Sequence, residues 1–361
     1  MNDYLNINLH ILSPVHIGCD DVYEPTSFVI DESSNELIEF DSYRYINSLS
    51  EKEKKDFISI CEKDNILEIY KFIKRTYKPA VGGHNVEISS GLTKHYKEVL
   101  NLNSYNKNTV INQFLINKTT YNVNNKLPYI PGSSIKGSLR TAFLSKLAIE
   151  NKVYNYASTS NKLEKELLGG AFHNDPFRLL KISDFLPAEN IKKKIYYAIN
   201  KKKRESRFEA QGPYQIFESI QTGSIFKGRI NLSRAEVGSG VNYPIKNIRD
   251  FLKEIHQQYF NQLLDENKII KEKKFKQITS KNKNLTENLA KTTFFIRIGR
   301  HSGADAVTIK NNSKIKIMQG RNKQPIYKNT STTMWLASDE SRCNDNHNLI
   351  PFGWAILEII E

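Results

Sequence analysis

The apolar and polar positions at the start of the chain follow the pattern of a β-strand. Apolar side chains alternate with polar ones along residues 5–12, and a period of two places alternate side chains on opposite faces of a strand. The pattern stops at Ser13-Pro14. Residues 28–30 and 37–40 are apolar runs on either side of a polar turn, so they predict a β-hairpin.

Longer stretches follow the period of an α-helix. Residues 43–77 combine clustered charges with apolar residues three and four positions apart, which predicts helix. Residues 79–91 contain three glycines and predict a loop. Residues 127–130 predict a short strand, followed by a helix over residues 135–150.

The second half of the chain shows a similar order of elements. Residues 214–220 and 224–232 flank a Thr222-Gly223 turn and predict a second hairpin. Residues 247–264 predict a helix, and residues 268–288, with seven lysines and few apolar residues, predict a mobile or solvated stretch. Three further strands are predicted, at residues 293–298, 332–337 and 354–360.

Each half therefore contains strands, helices and a strand–glycine loop–helix unit. This order predicts an α+β protein with tandem ferredoxin-like (RRM-like) domains and helical insertions, divided into residues 1–205 and 206–361. A length of 361 residues with 39% hydrophobic residues is enough for two such cores.

The net charge of the chain indicates which chemical class of binding partner to expect. The chain has 53 Lys and Arg against 39 Asp and Glu, a formal net charge of +14. Such a balance favours a polyanionic partner, with nucleic acid ahead of a membrane surface. The alternative is that the charge reflects only solubility and a composition rich in Lys and Asn.

The three cysteines lie far apart and lack the spacing of zinc ligands or of a disulfide framework, so we expect reduced thiols in a cytoplasmic protein. The chain start does not resemble a secretory signal, and no apolar run approaches the ~20 residues that span a bilayer. Asp20 and Asp21 are adjacent and would point to opposite faces of an extended chain. We therefore expect no metal, no cofactor and no membrane partner.

The segment around residue 135 has the features of a phosphate site. Ser133 or Ser134 can cap the helix, and Lys136 and Arg140 are four residues apart, so they share one helix face. Cations at a helix N-terminus oppose the macrodipole, whereas a phosphate there would gain from the free amides and both cations. The alternative is a solvated helix start with incidental basic residues.

Two loops add candidate binding residues. In residues 299–303 the glycines permit close approach of the backbone, and Arg300 can contact a phosphate through two donors. A tight turn with exposed basic residues explains the same pattern equally well. His16 could stack on a base, bind a phosphate or act as a general base, although a lone histidine is more often structural.

These segments carry a family resemblance. Residues 12–18, 129–140 and 298–303 resemble the RAMP superfamily of CRISPR proteins, and their order and spacing are most similar to those of the fifth-subunit family of the Csm (type III-A) effector complex. The resemblance implies tandem ferredoxin-like domains and a set of RNA-facing positions. Those positions are His16, Ser133, Ser134, Lys136, Arg140, Arg300 and His301.

The resemblance also implies a role. It is that of a non-catalytic subunit that caps the 3′ end of the guide (CRISPR) RNA, contacts adjacent backbone RAMP subunits of the Csm complex, and supports guide maturation by recruited host nucleases. The backbone subunit that cleaves target RNA has a catalytic Asp in a glycine-rich stretch, whereas residues 22–27 here contain no Asp. Helical and lysine-rich insertions at 43–77 and 246–291 could block one surface of a repeating subunit.

Two alternatives remain open at this point. The chain could be a metal-independent, repeat-processing endoribonuclease of the RAMP class, with His16 or His301 as general base. It could also be a stand-alone binder of single-stranded RNA.

Overall fold

The computed structural model describes residues 3–63, 65–102, 115–153, 160–170, 172–206, 210, 212–278, 282–312, 314–318, 324–343 and 345–360. The described part of the chain is a mixed α+β structure, which confirms the predicted class.

Its helices are α1 Ser42–Ser48, α2 Glu51–Glu62, α3 Ile66–Thr76, α4 Ser90–Leu100, α5 Gly132–Glu150, α6 Ser160–Leu168, α7 Ile248–Glu272, α8 Lys283–Glu287 and α9 Ala304–Val307. Its strands are β1 Asp3–Ile11, β2 Gly18–Tyr23, β3 Phe28–Asp31, β4 Glu36–Glu39, β5 His84–Ile88, β6 Ile116–Thr119, β7 Leu180–Ile182, β8 Leu186–Glu189, β9 Lys193–Lys202, β10 Gln215–Ile220, β11 Ile225–Leu232, β12 Thr293–Arg297, β13 Ile315–Ile317, β14 Ile326–Lys328, β15 Thr333–Ser338, β16 Ile350–Pro351 and β17 Trp354–Ile360.

Two large sheets organise these strands. The first has the order β12-β17-β1-β11-β7, with β8 also paired to β11. The second has the order β2-β6-β10-β9-β5-β4-β3, and β15 pairs with both β9 and β16. Strands β13 and β14 form a separate hairpin.

Each sheet covers its own hydrophobic core. The first sheet packs against α5 and α7 around a cluster that includes Leu139, Phe251 and Ile356. Helix α7 buries residues spaced three and four apart, and each fully buried large apolar side chain contributes about 1.5–3 kcal/mol. The second sheet packs against α3 and α4 around Leu67 and Tyr197.

The chain crosses between the two sheets at neighbouring places. Val15, between β1 and β2, bridges to Ile220 at the end of β10. The amide of Gly223 donates to the Ile11 carbonyl oxygen at 2.8 Å, and that of Gly353 donates to the Pro14 carbonyl oxygen at 2.9 Å. Three crossing segments therefore support one another at the junction of the sheets.

The first hairpin, β3–β4, is confirmed, but the predicted hairpin around Thr222-Gly223 is wrong. A turn forms there, yet β10 pairs with β9 and β6, whereas β11 pairs with β1, β7 and β8. Both edges of each strand are thus taken by other strands, and the turn carries the chain from one sheet to the other.

Other local predictions have mixed outcomes. Residues 43–77 are helical, in three helices with the N-caps Asp41, Ser50 and Asn65. The predicted loop over 79–91 instead contains β5 and the start of α4, because β5 completes the second sheet between β4 and β9. The predicted strand at 127–130 makes only isolated bridges.

The lysine-rich stretch is more ordered than expected where the structure describes it. Helix α7 continues to Glu272 because Ile270 is buried in the core of the second sheet, and α8 follows; residues 279–281 lie outside the described part. The predicted boundary at 205/206 falls between β9 and β10, and both sheets contain strands from both halves. The division into 1–205 and 206–361 stays a prediction.

Candidate nucleic-acid interface

The two histidine loops meet at one aromatic ring. The His16 ring lies 4.5 Å from that of Phe217, and the His301 ring lies 4.7 Å from it. The His301 ring is also 4.5 Å from the Trp335 ring. We call these four residues the histidine–aromatic stack. The structure therefore brings together two residues that are 285 positions apart in the sequence.

Backbone contacts fix this arrangement. The amide of Arg300 donates to the His16 carbonyl oxygen at 2.8 Å. Gly299 has φ = 83°, and a Cβ there would lie 2.6 Å from the same carbonyl oxygen. Only glycine therefore fits this position without strain, and its absent side chain allows the two loops to touch.

Burial keeps both imidazoles neutral near pH 7. His16 is fully buried, and its Nδ1 lies 2.8 Å from the Glu218 carbonyl oxygen. Burial lowers the pKa of His16, and the nearby Arg300 lowers it further. Burial lowers the pKa of His301 to about 3. Within the described residues the Nε2 atom of each ring has no hydrogen-bond partner.

Arg300 is the exposed cation of this site. Its guanidinium carbon lies 5.3 Å from the centre of the Phe217 ring, and no acidic residue in the described part of the chain pairs with it. A guanidinium that is oriented by an aromatic ring and lacks an acidic partner is available for a phosphate. Arg300 and His301 therefore offer a cation beside a ring surface.

A buried ion pair that the sequence did not reveal holds the 299–303 loop. The Arg297 guanidinium pairs with the Glu266 carboxylate on α7, and its Nε donates to the Phe352 carbonyl oxygen at 3.2 Å. The Trp354 Nε1 donates to the second Glu266 carboxylate oxygen at 3.1 Å. These contacts tie β12 and the turn before β17 to helix α7.

A second buried acid supports the histidine–aromatic stack from the opposite face of β10. Glu218 is 1% exposed; it pairs with Lys193 and accepts a 2.8 Å hydrogen bond from the Tyr23 hydroxyl. It also accepts from the Thr119 amide at 3.0 Å. Glu218 is thus a structural acid that orders the strand on which Phe217 lies.

The start of α5 differs from the phosphate site that the sequence predicts. The helix begins at Gly132, its N-cap is Pro131, and neither Ser133 nor Ser134 caps it. The Gly132 amide donates to the Asp184 carboxylate at 2.8 Å. The predicted serine cap is therefore wrong, because an acidic side chain from the loop after β7 already satisfies a free amide at this helix end. Ser133 is exposed and Ser134 is half-buried.

The two basic residues of this helix have different surroundings. Arg140 pairs with Glu164 at 2.9 Å and with Asp175 at 2.6 Å, so its charge is balanced within the protein. Lys136 is half-buried and has no acidic side chain within ion-pair distance among the described residues. Burial lowers the pKa of Lys136, and Arg140 lowers it further, against the opposing effect of Asp175. Of these two cations, Lys136 is the one whose charge is not balanced by an ion pair within the described residues.

The described ranges offer neither a metal-binding cluster nor a membrane-spanning helix. Those residues contain no group of three or more His, Cys, Asp or Glu side chains that could hold a metal ion. They also contain no helix that is both long and apolar enough to cross a membrane.

The sequence profile of the RAMP superfamily matches residues 8–304. The chain belongs to the RAMP superfamily. A relative from Methanocaldococcus jannaschii, the CRISPR system Cms protein Csm5, is 25% identical over 198 residues, which are 51% of this chain and 43% of that protein. The chain thus matches less than half the length of this relative. The protein of the same name from Streptococcus thermophilus is 25% identical over 284 residues, 73% of this chain and 74% of that protein.

Two solved structures have a similar fold. A chain in the cryo-EM structure of a Csm–crRNA–target RNA ternary complex from a type III-A CRISPR–Cas system matches with a TM-score of 0.60 and 17% identity, covering 99% of this chain and 100% of that one. The crystal structure of T. onnurineus Csm5 matches with a TM-score of 0.50 and 16% identity, covering 81% of this chain and 89% of that one.

Proposed function

We propose that this protein is a non-catalytic, RNA-binding subunit of a type III-A (Csm) effector complex and that it caps the 3′ end of the guide RNA. The observation that carries the proposal is Arg300, an exposed cation without an acidic partner in the described chain, which lies over the Phe217 ring and is followed by His301, whose ring lies 4.5 Å from that of Trp335. A cation next to ring surfaces suits single-stranded RNA, because phosphates pair with the cation and bases stack on the rings. The similarity to Csm5 proteins supports the choice of complex.

The proposal includes partners and architecture. We propose contacts with adjacent backbone RAMP subunits, support of guide maturation by recruited host nucleases, and a cytoplasmic location. We also propose that the two sheets with their helices correspond to two ferredoxin-like (RRM-like) units. The RNA-facing residues in this proposal are His16, Ser133, Ser134, Lys136, Arg140, Arg300 and His301. Of these, His16 and Arg140 would act by positioning the others, because one is fully buried and the other is paired with two acids.

The same geometry disfavours a histidine-based nuclease. A general base must come within about 2.6–3.2 Å of the proton that it removes, whereas the His16 ring is fully buried. His301 has a pKa of about 3, far below the value near 7 that favours general-base catalysis at neutral pH.

Co-purification tests the proposal. The chain is expressed with its genomic neighbours, the complex is isolated, and the bound RNA is sequenced at its 3′ ends. We expect one copy of the chain in each particle, and Arg300→Ala should give guide RNA with heterogeneous 3′ ends. The matched control is Arg44→Ala, at an exposed position on α1. Particles that contain no RNA, or that contain two or more copies of the chain, would refute the proposal.

Incubation of the purified chain with repeat RNA in EDTA tests the alternative. We expect intact RNA. Cleavage that His301→Ala abolishes would replace the proposed role with that of a metal-independent endoribonuclease.

A further inference from the structure

A large cavity adjoins the histidine–aromatic stack. It lies between α5, α7, the ends of β9 and β15, and the β13–β14 hairpin, and its volume is about 1560 Å³. Typical small-molecule pockets enclose about 300–1,000 Å³. The cavity is thus large enough for an extended ligand.

The acidic residues of this cavity are largely neutralised. Four carboxylates in its lining are each paired with a cation of the protein. The pairs are Asp265 with Lys268, Glu266 with Arg297, Glu272 with Lys273, and Asp305 with Lys203. Glu205 is the lining acid that has no such partner within the described residues.

Most of the six basic residues of the lining have no acidic partner. Five of the six have no acidic partner in the described chain, whereas Lys203 pairs with Asp305, so the lining charge that no ion pair balances is mostly positive. The five are Lys202, Arg204, Lys310, Lys316 and Lys328. Unbalanced charge of this sign in a partly enclosed space favours a polyanion.

The cavity continues the surface that carries the histidine–aromatic stack. Trp335 of β15 lies directly opposite Asn200 of β9, so both side chains are on the same face of the second sheet. Lys202, two residues further along β9, is also on this face and lines the cavity. The buried Asn200 Oδ1 has no hydrogen-bond partner among the described residues. A ligand that passes His301 would therefore meet Asn200 and then the cavity.

Apolar side chains stand among the cations at the hairpin. Met318 is 68% exposed and Ile326 is 40% exposed, and both line the cavity. Exposed aliphatic groups can pack against the face of a base, and the neighbouring lysines can contact its phosphate. A double helix keeps its bases stacked inside and is recognised through its backbone and grooves, so it would not use these apolar contacts.

We propose that this cavity binds single-stranded RNA, namely the guide segment that continues beyond Arg300 and His301. Phosphates contact the five unpaired cations, and bases lie on Met318 and Ile326. The inference rests on the proposed function, because the strand must first enter through a complex that holds guide RNA.

Site-specific crosslinking in the reconstituted complex tests the proposal. The probe is a guide RNA with 4-thiouridine at its 3′-terminal positions, and mass spectrometry identifies the crosslinked peptides. We expect crosslinks to the β13–β14 hairpin and to the end of β9. RNA-containing particles whose crosslinks all lie outside the cavity lining would overturn this inference and leave the proposed function intact. Particles without RNA would overturn both.

A charge variant gives an independent measurement. Lys310→Ala/Lys316→Ala/Lys328→Ala removes three exposed cations of the lining. We expect the yield of crosslinks in the cavity to fall about tenfold or more, because three cations that contact phosphates in the proposed site are lost; each lost contact should also lower the salt slope of binding by ~0.7 for a single strand. The amount of guide RNA per particle should be unchanged.

The matched control is a triple alanine variant of three exposed lysines on or next to α2, Lys52, Lys55 and Lys63. It removes the same charge at a distance in sequence from the cavity and should leave the crosslink yield unchanged. Equal yields in both triple variants would overturn the proposal. Circular dichroism of both variants confirms that a loss of crosslinks is not a loss of fold.

Discussion

Truncation of Glu266 to alanine should destabilise the protein strongly. The carboxylate is 7% exposed, and it pairs with Arg297, which is 3% exposed. Without it the guanidinium would remain buried with the Phe352 carbonyl oxygen as its acceptor and the Trp354 ring 4.8 Å away. The Trp354 Nε1 would lose its acceptor as well.

The structure indicates the size of the effect. Removal of one partner from a buried ion pair costs about 3–5 kcal/mol, chiefly because the other charge stays buried without compensation. The unfolding entropy of globular proteins is ~2.1 cal/mol/K per residue, or ~0.76 kcal/mol/K for 361 residues. The midpoint of thermal unfolding should therefore fall by about 4–7 °C.

Thermal unfolding of the purified chain, followed by circular dichroism, measures this change. The control is Glu254→Ala on the same helix, because the Glu254 carboxylate pairs with Lys146 at 3.1 Å near the surface. A surface pair contributes about 0–1 kcal/mol, so this variant should shift the midpoint by ~1 °C or less.

A double replacement separates the loss of the ion pair from the cost of leaving the Arg297 charge buried without a partner. Glu266→Leu/Arg297→Leu removes both charges and should be more stable than Glu266→Ala, because apolar replacement of a whole buried pair is often neutral. If Glu266→Ala unfolds within about 1 °C of the surface control, the buried pair does not stabilise the fold. The reasoning about this anchor would then be refuted.

Three further predictions follow from the same geometry. Gly299→Ala should lower the urea midpoint more than Gly303→Ala, because both glycines have positive φ but only the first would place a Cβ 2.6 Å from a carbonyl oxygen; equal losses would contradict this. The pKa of His301 is about 3 and that of an unfolded histidine ~6.5, so the unfolded state binds more protons between these values. The unfolding free energy should fall by up to ~1.4 kcal/mol per pH unit as pH drops below 6.5, and His301→Gln should flatten this slope in urea titrations. Arg140→Ala should cost roughly 1.5–3 kcal/mol because two acids lose their partner, whereas Lys136→Ala should leave stability unchanged and lower RNA retention in salt; the reverse result would reassign the two roles.

Local periodicity was sufficient for much of the secondary structure. The alternation in β1 and the apolar stripe of α5 depend on neighbours in sequence, so both elements could be predicted. The partners of β10 and β11 could not, because a turn residue such as Gly223 is compatible with a hairpin and with a crossing between sheets. Which one forms depends on β1, more than 200 residues away, which takes the edge of β11.

The candidate site was predicted as separate residues and not as an arrangement. His16, Arg300 and His301 were visible because histidine and arginine beside glycine suggest binding chemistry. Phe217 was not, because a phenylalanine in a strand carries no such signal, although it is the ring on which both histidines lie. Glu266 was missed because it is one of many charged residues on a long helix.

Charge pairing, more than motif membership, separates the residues that build the candidate site from those that are free to contact a ligand. Within the motifs, Arg140 is balanced by two carboxylates and His16 is sealed in the interior, so both shape the site without reaching a ligand. Outside the motifs, cations such as Lys310 and Lys316 have no acidic partner in the described chain and line a cavity. A folded protein gains little from an exposed cation that is paired with nothing, so a concentration of such cations in one cavity points to a ligand that supplies the missing negative charge. The formal charge of +14 therefore becomes informative only after the internal ion pairs are known, and the sequence alone cannot give those pairs.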